Sequence, residues 1–178
     1  MASTTNIMTV EQFRRLPENG PFYYELRRGE PIPVTRPKFK HFRIQKQLEQ
    51  LLEQAAGGLG VVTMEFAFRP LPEYELRVAD VAYVTRERWE RTDPEDNLRG
   101  APELVVEVLS PSNTVAEINE KEELCLENGS LQFWVVDADL RQVKVSRPDG
   151  ITTTYHSNQE IPLDILGGGR LPVAAIFS

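Results

Sequence analysis

The apolar run Leu104-Val-Val-Glu-Val-Leu109 constrains this chain more than any other stretch. It has strand length and is rich in valine, as expected of a central strand covered on both faces. Glu107 sits in its middle. A carboxylate there must be paired, metal-bound or neutral, because an isolated buried charge is strongly unfavourable. Ser112 or Asn113 then offers an N-cap, and the spacing predicts a helix that ends at Asn128-Gly129. At about 100° per residue, Val115, Ile118, Cys125 and Leu126 form its inward stripe, with Lys121 on the edge of that stripe and Glu122 close by.

The neighbouring segments supply a framework around that strand and helix. Thr9 to Gln12 reads as a capping box opening a short helix that Pro17 ends. Residues 22–26 and 31–34 flank Gly29 as a hairpin. His41, Ile44, Leu48, Leu51, Leu52 and Ala55 recur at helical spacing up to Gly57-Gly58. Strands are predicted at 61–68 and 77–85, and in the second Val78, Asp80, Ala82 and Val84 alternate with Ala79, Val81 and Tyr83. Asp80 is thus a second acid in an apolar strand. Residues 92–102 read as a loop, and 132–137, 142–146 and 151–155 as strands joined by short turns. The apolar tail 161–177 is expected on the surface of the core.

Composition limits the class. A chain of 178 residues fits one domain, 1–178, with a real core, and 40% hydrophobic and 26% charged residues are ordinary for a soluble globular protein. The net charge of −7 argues against a general nucleic-acid binder but leaves room for a local basic patch. Cys125 has no second cysteine to pair with, which fits a reducing compartment. The first residues carry no secretory pattern and no apolar run approaches the roughly 20 residues that span a bilayer. The expectation is a cytoplasmic protein with no membrane association.

Asp80, Glu107 and Lys121 are ionisable residues on elements that otherwise want apolar neighbours. Two carboxylates on adjacent strands repel unless a cation or a proton lies between them. Magnesium or manganese suits oxygen ligands and leaves positions open for phosphate and water. The plainer alternative is a structural Glu107–Lys121 ion pair with Asp80 as a strand-end residue.

The segments Tyr24-Glu-Leu26, Gly29-Glu30, His41, Val78-Ala-Asp-Val81, Ala101-Pro-Glu-Leu-Val-Val-Glu-Val-Leu-Ser-Pro-Ser112, Glu120-Lys121 and Phe133-Trp-Val-Val-Asp137 occur in the order of a known pattern. The chain resembles the Uma-two family of endonucleases, within the PD-(D/E)xK restriction-endonuclease-like superfamily, from about residue 9 to 177. The resemblance implies an α/β fold of the α+β kind, with a mixed central sheet, flanking helices and added C-terminal β-hairpins. It makes Asp80 the metal-binding aspartate and Glu107 the acid of the (D/E)xK element. Two departures stand out: Ala79 precedes Asp80 in place of proline, and Leu109 stands where the motif has lysine. The family pattern supplies that lysine from the following helix, which assigns the role to Lys121, the residue the helical wheel also turns inward. The same pattern suggests Glu25 as an accessory carboxylate and His41 as a site-lining residue. Otherwise Glu25 is a hairpin residue paired with Arg27 or Arg28, and His41 an inert histidine on a packed helix face.

The resemblance implies a metal-dependent endonuclease hydrolysing phosphodiester bonds in nucleic acid, DNA above all, and acting as a homodimer. Arg36, Lys38, Lys40 and Arg43 lie in a basic stretch suited to a phosphate-facing rim, or to a solvated face. The competing class is a non-catalytic protein on the same scaffold that binds nucleic acid or a protein partner. An intact Asp–Glu–Lys set is the feature expected to separate the two.

Overall fold

The computed structural model of the protein describes residues 7–17, 23–35 and 37–178. Helix α1 (Val10–Phe13) carries the predicted capping box, Thr9 and Gln12 each bonding the other's backbone N–H. Strands β1 (Tyr23–Arg27) and β2 (Glu30–Val34) form the hairpin, with Phe22 outside the described residues. Arg28 and Gly29 turn it with φ of +50° and +77°, the left-handed pair a two-residue turn requires. Helix α2 (Phe39–Ala56) buries Ile44, Gln45, Leu48, Leu52 and Ala56, and left-handed Gly57 ends it.

The main sheet has seven strands in the order β5 (Leu98–Arg99), β3 (Gly60–Arg69), β4 (Arg77–Thr85), β6 (Leu104–Val108), β7 (Gln132–Asp137), β8 (Gln142–Ser146) and β9 (Thr152–His156). It is mixed. Strands β6 and β7 run parallel, so helix α4 (Val115–Glu127) must cross between them, and β3 with β5 is also parallel. The β3–β4, β4–β6, β7–β8 and β8–β9 pairs are antiparallel. One apolar layer lies between the sheet and α2 and contains Leu48, Val81, Tyr83, Val106 and Trp134. The other lies under α4 and contains Ala82, Val84, Val105, Phe133, Ile118 and Cys125. No helix among the described residues is long and apolar enough to cross a membrane.

Four expectations are corrected. The N-cap of α4 is Thr114, not Ser112 or Asn113, because Thr114 and Glu117 form a reciprocal capping box. Val115 is 78% exposed, since it occupies the first turn of α4, and the buried stripe is Ile118, Lys121 and Cys125. The tail belongs to the core itself. Strands β10 (Glu160–Pro162) and β11 (Arg170–Pro172) and helix α5 (Val173–Ile176) bring Ile161, Leu163, Leu166, Leu171, Val173 and Ile176 into the α2 layer. Residues 92–102 are not all loop, because Leu98 and Arg99 add the edge strand β5 beside β3. Helix α3 (Arg86–Arg91) was without a sequence signal: it buries no residue and so has no apolar period to read.

Candidate active site

Strands β4 and β6 pair only from Tyr83↔Leu104 to Val81↔Val106. Beyond that point the backbone groups of β4 on this side lose their partner strand, and side chains take over. The Val78 N–H donates to Glu25 Oε1 at 2.9 Å, and the Val78 carbonyl accepts from Lys121 Nζ at 2.7 Å. The Asp80 N–H donates to Glu107 Oε1 at 3.4 Å. In return the Val108 N–H of β6 donates to Asp80 Oδ2 at 2.7 Å. Each acid therefore leans on the other's strand, and the two carboxylates enter the opening where the ladder stops.

A local break in β3 and β4 directs Asp80. Met64 and Val81 pack into the α2 layer, whereas Phe66 and Ala79 pack into the α4 layer. The alternation expected along β4 thus fails at Asp80. The ladder pairs Met64↔Val81 and Phe66↔Ala79 but not the residues between them, Glu65 and Asp80. Glu65 has a φ of +50°, and that left-handed residue reverses the facing of both strands. Asp80 consequently reaches α2: Gln45 Nε2 donates to its Oδ1 at 2.9 Å, and His41 Nε2 lies 3.1 Å from its Oδ2.

Glu107 faces α4 instead and pairs with Lys121 at 2.8 Å, both residues being 7% exposed. Burial pushes the Glu107 carboxyl up to about 7, against the pull of Lys121 and with the help of the Asp80 charge. Burial would lower the Lys121 ammonium, but Glu107 and Glu25 outweigh it and hold the group above its ordinary range. Glu25 is buried, a change that alone would raise its carboxyl; Lys121, the Val78 N–H and Arg27 keep it below the usual value. Burial likewise works against charge on His41, and Asp80 reverses the balance, so the imidazole titrates above its ordinary value.

All five residues singled out as catalytic, Glu25, His41, Asp80, Glu107 and Lys121, thus meet at one place. Glu25 also keeps the hairpin pairing expected of it, with Arg27 at 2.9 Å, and Arg27 ties the hairpin to Glu117 of α4 at 3.0 Å. Glu122 points elsewhere and pairs with Lys144 of β8 at 2.7 Å. Lys38, the N-cap of α2, and Lys40 and Arg43 on its N-terminal half are exposed, while Arg36 lies outside the described residues. Two members of the site escaped the sequence reading, Gln45 and Glu65. Both carried a signal of the kind that revealed Asp80: a polar residue inside an apolar period, between Ile44 and Leu48 on the helix and between Met64 and Phe66 on the strand.

The donor set suits a hard divalent cation. Asp80 and Glu107 each accept an N–H from the other's strand, His41 Nε2 has Asp80 as its partner, and beside them Gln45 Oε1 is buried without a hydrogen bond. Such an orphaned atom calls for a ligand, since a buried polar atom is otherwise paired. Among the described residues no group of three or more His, Cys, Asp or Glu side chains is arranged to hold a metal ion. Magnesium commonly uses one or two carboxylates and completes its shell with water and phosphate oxygens. The geometry also supplies structural work for Glu25, Glu107 and Lys121, so an intact Asp–Glu–Lys set does not by itself separate catalysis from architecture.

Comparison with known proteins places the chain. A solved structure described as "a putative nuclease belonging to DUF820 from Anabaena variabilis" superposes with a TM-score of 0.82 at 22% identity, over 96% of this chain and 97% of that one. At that identity it shows a shared fold, which is the mixed sheet with flanking helices expected from the sequence. No curated protein matches the chain. Residues 10–174 match the family described as "Uma2: Putative restriction endonuclease". The chain therefore belongs to the Uma2 family of restriction-endonuclease-like nucleases.

Proposed function

We propose that the protein is a metal-dependent endonuclease of the PD-(D/E)xK kind, folded as one domain, that hydrolyses phosphodiester bonds in DNA. The observation that carries this reading is the entry of Asp80 and Glu107 into one opening, each accepting an N–H from the other's strand, beside the buried, unbonded Gln45 Oε1. Asp80 and Glu107 would hold magnesium or manganese. Such an ion, when bound, lowers the pKa of a coordinated water and offsets charge on the phosphoryl oxygens.

The chain's own groups divide the remaining work. Lys121 keeps a positive charge beside Glu107 in a low-dielectric setting, where a fixed charge stabilises a phosphorane-like transition state more than it would in water. Glu25 holds Lys121 from the far side, 3.7 Å from its Nζ, and joins the hairpin to the site. His41 lines the α2 side of Asp80. Lys38, Lys40 and Arg43 are exposed and would form a basic rim that receives the phosphate backbone in an otherwise acidic protein, a role the sequence extends to Arg36. The reading includes a homodimer, as suits cutting both strands, and a cytoplasmic setting in which the buried Cys125 thiol, pushed by burial up to about 12, stays reduced and unreactive.

The test is cleavage of varied DNA and RNA with magnesium or manganese, comparing the wild type with Asp80→Ala. Metal-dependent cleavage by the wild type that vanishes in the variant is expected. A folded wild type that binds nucleic acid but cuts none of the substrates would favour the non-catalytic alternative on the same scaffold.

A further inference from the structure

Glu65 is an exposed residue held in a backbone conformation that side chains other than glycine adopt rarely. Exposure means that burial of its side chain does not repay the strained φ. Its carboxylate accepts a hydrogen bond from Gln45 Nε2 at 2.5 Å, and the same nitrogen donates to Asp80 Oδ1 at 2.9 Å. One amide nitrogen thus spends both of its hydrogens on two acids that face each other across β3 and β4. Gln45 itself is fully buried, and its Oε1 is left with no partner. A glutamine serving only as core filler would not occupy a fully buried position with its acceptor unsatisfied.

We propose that Glu65 and Gln45 form a positioning pair for the metal-binding aspartate. Glu65 fixes the rotation of the Gln45 amide. The amide nitrogen then fixes Asp80 Oδ1, and the amide oxygen stays free to accept a hydrogen from water in the ion's hydration shell. The strained residue belongs to the mechanism because the same left-handed φ that turns Asp80 toward α2 also sets the Glu65 carboxylate opposite it. This inference rests on the endonuclease reading above, and it adds two residues to that site.

The test compares wild type, Glu65→Asn, Glu65→Gln and Gln45→Met by melting temperature without metal and by manganese titration. Asparagine tolerates the left-handed conformation but is too short to replace the carboxylate. Glu65→Asn is therefore expected to keep or raise the metal-free melting temperature while weakening manganese binding about 10-fold or more, the scale of losing a partner that orients a ligand. Glu65→Gln retains an acceptor oxygen for Gln45 and should recover most of the affinity. Gln45→Met should match Glu65→Asn in its metal defect. Wild-type manganese affinity in Glu65→Asn and Gln45→Met would overturn the proposal, as would a metal-free melting temperature so reduced in Glu65→Asn that Glu65 proves architectural. A wild type that binds no manganese at all would overturn the metal-site reading together with it.

Discussion

At the scale of single residues, Lys121 joins architecture and the proposed chemistry in one side chain. Its stem crosses the apolar layer under α4, and its ammonium is shared by Glu107, the Val78 carbonyl and, farther off, Glu25. Lys121→Met preserves the stem and removes the charge. Breaking a buried pair costs about 3–5 kcal/mol when the surviving charge is stranded. Glu107 already titrates high because of burial and can take up a proton when the lysine is gone, so the loss should sit at the low end of that range. Urea denaturation at neutral pH checks the stability, and cleavage per folded molecule checks the chemistry. A variant that loses stability yet retains full specific activity would make Lys121 a purely structural residue.

At the scale of elements, α4 shows how a stripe is set by where a helix starts and where the sheet beneath it ends. Ile118 and Cys125 pack against the sheet on the same face as Lys121, whereas Val115, one turn earlier, projects into solvent. Ile118→Ala should therefore destabilise the fold by about 2–4 kcal/mol, and Val115→Ala by less than about 0.5 kcal/mol. Chemical denaturation of the two variants separates them. Equal losses would mean that Val115 is packed after all. The same logic applies to β4, whose alternation fails at Asp80, the position the proposed site uses as an acid turned toward a different helix.

At the scale of the whole molecule, a second charged network braces the end of the sheet away from the β6–β7 crossover. Asp96 receives Arg69 at 2.8 Å, Arg14 at 2.6 Å and Arg99 at 3.0 Å, so it links α1, β3 and β5. Burial would raise its carboxyl, but the hydrogen bonds from Arg69, Arg14 and the Asn97 N–H reverse the shift and hold it far below the ordinary 3.8. A carboxyl depressed in the folded state binds fewer protons there than in the unfolded chain. Its stabilising effect is therefore complete above the unfolded value and is lost as pH falls through and below it. Asp96→Asn should lower the melting temperature at neutral pH, and the gap to wild type should narrow once the pH drops below about 4. A gap independent of pH down to the acid limit would assign the loss to packing instead of charge.

Much of the fold and site was legible in the sequence because it rests on local periods and local chemistry. The valine run around Glu107, the apolar period of α2 and the acid in β4 each express a pattern of a few residues against a known geometry. The wheel that turned Lys121 inward is of the same kind, and the ordered family segments added Glu25 and His41. What the tertiary structure alone decided depends on where neighbouring elements stop. The stripe of α4 omits Val115 because its first turn is exposed, and the apolar tail became core because α2 leaves that side of the sheet open. Gln45 and Glu65 join the site only because an unpaired position in the β3–β4 ladder sets Glu65 opposite Asp80, and a left-handed φ turns both toward α2. No period in the sequence encodes that turn. The opening those residues border is set by the end of the β4–β6 pairing at Val81↔Val106, a boundary fixed by contacts between residues more than twenty positions apart.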